Sequence, residues 1–286
     1  MKGTNMSLTI KFYDVEHGSC THIITPNGKH ILVDIGSKTD SSIVKHIQYK
    51  YFLSGGTIDQ LIITHPHEDH IWGIPDMYKC RMKPRMLHRP KRAFDITPVN
   101  NNAVSKEIAD YANKMNSEYT SPIEQAEDPL SMDNNGGVDI RVFCAPEETE
   151  DKNDLNTFSS VVTVEYFDYK FVLTGDNPPA ILKKMMEGYS FWTHIRNATV
   201  LLAPHHGREG EFCKEFFDVV NPCLSVISDK AIVHETQERS SDLYKGRGID
   251  FGDEVRYVYS TRNDGTITFV LTRNELSVGT STEEYK

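Results

Sequence analysis

DQLIITHPHEDH, residues 59–70, joins a short apolar run to a loop that carries three histidines and two carboxylates within six residues. An apolar run this short, followed at once by polar loop, reads as a buried strand. In the loop, His65 and His67 can point to one side and converge on one cation, while Asp69 and His70 lie far enough along to reach a second. Imidazole with carboxylate suits zinc, manganese or iron. Without a cation these groups would repel on protonation and lose hydration with nothing in exchange, so the cluster reads as a metal site.

Two other apolar runs end in loops of similar chemistry. YKFVLTGD (169–176) stops at Thr174-Gly175-Asp176, and ATVLLAPHHG (198–207) stops at Pro204-His205-His206-Gly207. An aspartate can bridge two metals through its two oxygens, and a distant histidine can close one coordination sphere. Before the cluster, LTIKFYDV (8–15) alternates like a strand, and HIITPNGKHILVD (22–34) reads as two strands about a Pro-Asn-Gly turn. Residues 41–53 predict a helix and 71–78 the start of another. KCRMKPRMLHRPKR (79–92) carries seven basic residues and no acid. Residues 93–137 lose the strand rhythm. Within them 100–116 reads as one amphipathic helix and 128–137 as loop, which together predict an insertion or lid. Strands return at 138–146 and 159–167, PPAILKKMMEG (178–188) opens a helix on its prolines, and a helix is expected around 209–219. A strand at 223–228 and a final pair at 255–260 and 266–271 complete an α/β chain. With no linker or repeat, residues 1–286 form one domain.

Composition bounds the function. At 38% apolar and 10% aromatic residues the chain is globular rather than disordered. No strongly apolar run exceeds four residues, and the first dozen residues lack a secretory h-region, so neither a membrane span nor export is expected. Five dispersed cysteines read as reduced thiols of a cytoplasmic protein. A net charge of −10 disfavours a general nucleic-acid coat but leaves room for a local basic groove.

The ordered set Asp34, His65-x-His67-x-Asp69-His70, Asp176 and His205 resembles the metallo-β-lactamase superfamily. Within it, the chain is similar to the nuclease-like hydrolase domain of the competence proteins that internalise DNA. That likeness is carried by Asp14-Val15-x-x-Gly18, THPHEDHIWG (64–73), Asn156 with Ser159, LTGD (173–176), PHHG (204–207), ISDKAIVH (227–234) and STRNDGTI (260–267). The resemblance spans roughly residues 8 to 270, with 90–137 outside it. It implies an αββα metallo-β-lactamase sandwich with a dinuclear centre of divalent ions, zinc or manganese, at one edge of the sheets. His65, His67 and His205 would hold one ion, Asp69 and His70 the other, with Asp176 bridging and Asp34 orienting a ligand. The chain departs from the family pattern in two places. Glu16-His17-Gly18-Ser19 stands where the family opening has Gly-Gln-Gly-Asp, and no histidine lies between His88 and His194, where many members carry a further ligand. One ion is then less fully coordinated or lost.

Resemblance and ligand types together imply hydrolysis, since a metal lowers the pKa of its water from about 15.7 to about 7 and gives hydroxide at neutral pH. Asp69 counts among the catalytic residues as well as the ligands. His206 and His234 are candidates for contacting the substrate or protonating its leaving group. A phosphodiester, in nucleic acid or a small nucleotide, fits the resemblance and the basic run, with Lys91 and Arg92 holding flanking phosphates. Two alternatives stay open. One is lactone, thioester or β-lactam hydrolysis in an apolar pocket supplied by Tyr111, Met115 and Tyr119. The other is a non-catalytic module with a decayed site that binds a protein partner through 93–137.

Overall fold

Leu8, Ile10 and Phe12 alternate with Thr9 and Lys11, and this period of two turns the three apolar side chains to one buried face. The computed structural model describes residues 7–37, 41–96, 104–230, 236–252 and 254–282. Its first strands are β1 (Leu8–Phe12), β2 (Thr21–Ile24), β3 (His30–Val33), β4 (Gln60–Ile62) and β5 (Met86–His88). There follow β6 (Asp139–Phe143), β7 (Val161–Tyr166), β8 (Tyr169–Leu173), β9 (Val200–Leu202) and β10 (Leu224–Ile227). The last are β11 (Ile249–Asp250), β12 (Val255–Arg256), β13 (Val258–Ser260), β14 (Thr266–Leu271) and β15 (Leu276–Ser281).

Among the described residues, one sheet runs β15-β14-β1-β2-β3-β4-β5 and another β13-β10-β9-β8-β7-β6, while β11 and β12 pair by themselves. The two large sheets face each other across an apolar core centred on Phe269, whose ring lies 5.4 Å from Phe171, 6.0 Å from Phe12 and 6.5 Å from Tyr259. Truncating such a buried aromatic to alanine costs about 3–5 kcal/mol. Helices at 43–51, 74–79 and 106–118 cover the outer face of the first sheet, packing Ile47, Ile74 and Ile108 with Leu61 and Ile63. Helices at 179–186, 189–195 and 214–220 cover the second, packing Leu182, Ile195 and Phe216 with Val172 and Leu201. The layers are therefore α, β, β, α. Strands buried on both faces need no alternation, which is why Leu61-Ile62-Ile63 and β9 read as unbroken apolar runs.

Register brings the chemistry to one edge. The strands β8, β9 and β10 are parallel, with Leu173 opposite Leu202 and Leu202 opposite Val226. Asp176, His205 and His206, and Asp229 therefore leave the sheet at nearly one level. In the other sheet β3 and β4 are parallel with Val33 opposite Ile62, which sets Asp34 beside Thr64 and His65.

Several elements differ from expectation. The basic stretch 79–92 contains β5, too short for its period to show. The helix expected from 209 begins only at Lys214, after a turn at Glu209–Glu211. The strand expected at 255–260 divides into β12, which pairs with β11, and β13, which joins β10. In the segment 93–137 the helix expected over 100–116 runs Lys106–Glu118 and buries Ile108, Ala109, Ala112 and Met115 in the core under the first sheet. Residues 97–103 lie outside the described residues. Among the described residues no helix is long and apolar enough to cross a membrane.

Candidate metal centre

Asp176 follows β8 through Gly175, whose φ is 55° and whose added Cβ would lie 3.0 Å from Thr64 Cβ. The two sheets thus touch where their ligand loops begin. Four imidazole Nε2 atoms face the Asp176 carboxylate: His70 at 3.2 Å, His206 at 3.5 Å, His205 at 3.7 Å and His65 at 3.9 Å.

Three of the four rings are held from the other nitrogen. His70 Nδ1 donates to Asp34 Oδ2 at 2.8 Å, and His206 Nδ1 donates to the Ser228 carbonyl at 2.8 Å. His65 Nδ1 lies 3.2 Å from Thr64 Oγ1, and His205 Nδ1 lies 3.7 Å from Glu211 Oε1. Fixing the proton on Nδ1 leaves the Nε2 lone pairs of His70 and His206 aimed at the cluster. Asp34 is itself buried and also accepts from the Thr64 N–H at 2.7 Å and from Thr64 Oγ1 at 2.8 Å.

Asp69 Oδ2 lies 3.1 Å from His206 Nε2. Asp69, His70, Asp176 and His206 offer ligand atoms that all lie within 4.8 Å of one another. His67 Nδ1 lies 3.0 Å from His65 Nε2, and His65 and His205 both face Asp176 Oδ2.

Burial alone would raise the carboxylates and lower the histidines, yet the charges overturn it at the centre. His70 and His206 hold Asp69 and Asp176 far below the carboxylate range. Against burial, Asp176, Asp34 and Asp69 keep His70 well above its ordinary value, and Asp176 with Asp69 pushes His206 up to about 10. Burial prevails at His65 and His67, both lowered, and brings His205 to about 4. His70 Nε2 and His205 Nδ1 are buried without a hydrogen bond among the described residues. The orphaned His70 Nε2 beside the Asp69 and Asp176 carboxylates fits a divalent ion, and the donor types suit zinc, manganese or iron.

The cluster lines a cleft of about 530 Å³, whose walls include His17, Trp72, Arg208 and Lys230. Of the residues singled out in the sequence, His65, His67, Asp69, His70, Asp176, His205 and His206 come together here. His206 stands with Asp69, His70 and Asp176. His234 lies outside the described residues. Lys91 and Arg92 do not line the cleft, and Arg92 is paired with Glu147 at 2.7 Å and Glu150 at 3.2 Å. Elsewhere in the basic stretch, Lys79 pairs with Glu107 at 2.9 Å and Lys83 with Glu118 at 2.8 Å. Tyr111 and Tyr119 pack beside the buried Met115 and the Tyr119 hydroxyl donates to the Pro84 carbonyl, so these residues furnish no pocket over the cluster. Arg208, Lys230 and His17 are additions from the structure; the only sequence signal was at His17, which stands at a departure from the family opening.

The sequence profile of the metallo-beta-lactamase superfamily matches residues 13–207. The chain belongs to this superfamily, whose members are in general metal-dependent hydrolases. Among solved structures, Tm1679, a metal-dependent hydrolase of the beta-lactamase superfamily, is 14% identical, with a TM-score of 0.52 over 91% of this chain and 98% of that one. The metallo-beta-lactamase fold protein YhfI from Bacillus subtilis is 12% identical, with a TM-score of 0.49 over 93% of this chain and 100% of that one. At such identity the likeness to Tm1679 is one of fold. No curated protein matches the sequence.

Proposed function

We propose that this chain is a metal-dependent hydrolase of phosphodiesters, acting on a short stretch of nucleic acid or on a small nucleotide. The observation that carries the reading is the grouping of Asp69, His70, Asp176 and His206, whose two carboxylates line a cleft that also holds Arg208 and Lys230. His65, His67 and His205 would hold one divalent ion, zinc or manganese, and Asp69, His70 and His206 the other, with Asp176 shared. Such ions supply Lewis acidity and a water-derived nucleophile at neutral pH.

The remaining tasks fall to the chain. Asp34 and the Ser228 carbonyl keep the His70 and His206 rings turned inward. Arg208 and Lys230, which form no ion pair among the described residues, supply the charge for phosphate oxygens that the sequence reading gave to Lys91 and Arg92. A net charge of −10 over the whole chain favours a short substrate over long duplex. Five free cysteines fit the reducing cytoplasm.

The test is reconstitution of metal-free protein with zinc or manganese, assayed on bis-(p-nitrophenyl) phosphate and on dinucleotides. Turnover that Asp176→Asn abolishes supports the reading. A reconstituted protein that opens lactones or thioesters and cleaves no phosphodiester overturns it.

A further inference from the structure

His17 belongs to the stretch Glu16-His17-Gly18-Ser19 and stands at the mouth of the metal cleft. Its Nε2 lies 3.4 Å from Asp69 Oδ2, its Nδ1 lies 3.6 Å from Asp229 Oδ1, and its ring centroid is 4.6 Å from that of His206.

The loop that presents His17 is closely specified. Glu16 adopts a left-handed φ of 61°, and its N–H donates to Asp14 Oδ1 at 3.2 Å. A Cβ on Gly18 would come within 2.5 Å of the Asp69 carbonyl oxygen, to which the Ser19 N–H donates at 3.2 Å. Ser228 Oγ donates to the Gly18 carbonyl at 2.7 Å. On the far side Asp229 is buried, its N–H donating to Thr261 Oγ1 at 3.0 Å and its carboxylate facing Arg262 at 3.8 Å.

Asp69 Oδ2 is thus shared between two imidazoles, His206 at 3.1 Å and His17 at 3.4 Å. An imidazole nitrogen offers a proton or a lone pair, not both. When His206 Nε2 gives its lone pair to an ion it stops donating to Asp69, and His17 becomes the imidazole that remains at that oxygen. We propose that His17, backed by Asp229, is a positioning residue of the metal centre that holds the Asp69 carboxylate in place beside His70 and His206. The inference rests on the reading of Asp69 and His206 as metal ligands.

Cobalt(II) tests it without an activity assay. Wild type, His17→Ala, His17→Gln and Asp229→Asn are compared by cobalt titration and visible absorption, with circular dichroism to establish folding. Loss of a partner of this kind weakens metal binding by about 10–100-fold. That loss, with a changed cobalt spectrum, is expected in His17→Ala. His17→Gln, whose amide can still donate to Asp69, should recover part of it. Asp229→Asn should weaken binding less, and add nothing in the His17→Ala background. If His17→Ala does not fold, the Gln and Asn variants carry the comparison. Unchanged cobalt affinity and spectrum in the folded variants overturn the proposal, and so does a wild type that binds no cobalt. A wild type that binds cobalt but cleaves no phosphodiester sinks the substrate reading alone, and the cobalt comparison still decides His17.

Discussion

His205 and His206, adjacent in the chain, both turn Nε2 onto Asp176 Oδ2, at 3.7 and 3.5 Å, from rings inclined 69° to each other. They do so because both residues take left-handed backbone, with φ of 49° and 55°. Residues held there cost of order 1–3 kcal/mol each and persist only where their surroundings over-determine them. Here the anchors are the Ser228 carbonyl on His206 and Gly207, whose added Cβ would lie 3.0 Å from the Ile227 side chain. In the reading proposed above, the adjacent histidines would serve two groups, His205 with His65 and His67, and His206 with Asp69 and His70.

This division predicts metal content. His206→Ala and His205→Ala should each lose one of the two ions and keep the other, while Asp176→Ala should lose both. Elemental analysis of the purified variants checks it. A full metal complement in His206→Ala would contradict the grouping.

Asp34→Asn should weaken metal binding by about 10–100-fold although Asp34 touches no ion. Its carboxylate accepts from the Thr64 N–H, Thr64 Oγ1 and His70 Nδ1, and the amide nitrogen of asparagine would set donor against donor. Asparagine tolerates the left-handed φ of 59° at this position, so the backbone should survive. Competition against a chelating dye measures the change, and an unaltered affinity would remove Asp34 from the centre.

Gly36→Ala should displace the metal loop. Its Cβ would fall 2.4 Å from the Asp69 carbonyl oxygen and 2.9 Å from the backbone of Ser19. Overpacking of this kind costs about 1–3 kcal/mol. Gly279→Ala, with nothing within 4 Å of the new Cβ, serves as control and should stay within about 0.5 kcal/mol of wild type. Urea midpoints of the metal-free proteins decide, and equal midpoints for the two variants would refute the packing argument.

Arg92→Ala should leave phosphodiester turnover nearly unchanged and cost at most about 1 kcal/mol of stability, as expected for an exposed ion pair. Arg208→Ala should raise KM, and the salt dependence of kcat/KM should flatten with it. Steady-state kinetics across a salt series tests both. The reverse ranking would return the substrate contact to the 79–92 stretch.

The protein should lose stability as pH falls below about 6.5, before its carboxylates titrate. His22 is fully buried, bonded to Tyr13 Oη at 3.2 Å and to His30 at 3.0 Å, and burial holds its pKa well below the ordinary value. The folded state keeps this imidazole neutral while the unfolded chain binds a proton near pH 6.5. The stability is therefore full above that pH and declines below it. His22→Gln should flatten the acid slope between about pH 6.5 and 5 in denaturant titrations. An unchanged slope would place the acid sensitivity elsewhere.

Much of the fold was legible in short-range pattern. Leu8, Ile10 and Phe12 declared their strand by alternation, and the Pro26-Asn27-Gly28 turn declared the hairpin of β2 and β3. Met86-Leu87-His88 could not, because three residues carry no period, and the charges around them masked a strand held by pairing with β4. The cluster at 65–70 was legible because its groups sit within a few bonds of one another, so their mutual repulsion and desolvation follow from connectivity alone.

The sequence by itself determined that a loop rich in histidine and carboxylate follows a buried strand, and that Asp176 and the histidine pair stand at the ends of two others. The tertiary structure decided the rest. Parallel pairing of β8, β9 and β10 sets which loop ends share a level, and left-handed backbone at 205 and 206 turns both imidazoles onto Asp176. It also decided that Arg92 is bound by Glu147 and Glu150 while Arg208 and Lys230 face the cleft, and that His17 reaches Asp69. These are contacts between residues tens to hundreds of positions apart. Their energies depend on strand register and burial, which no local periodicity encodes.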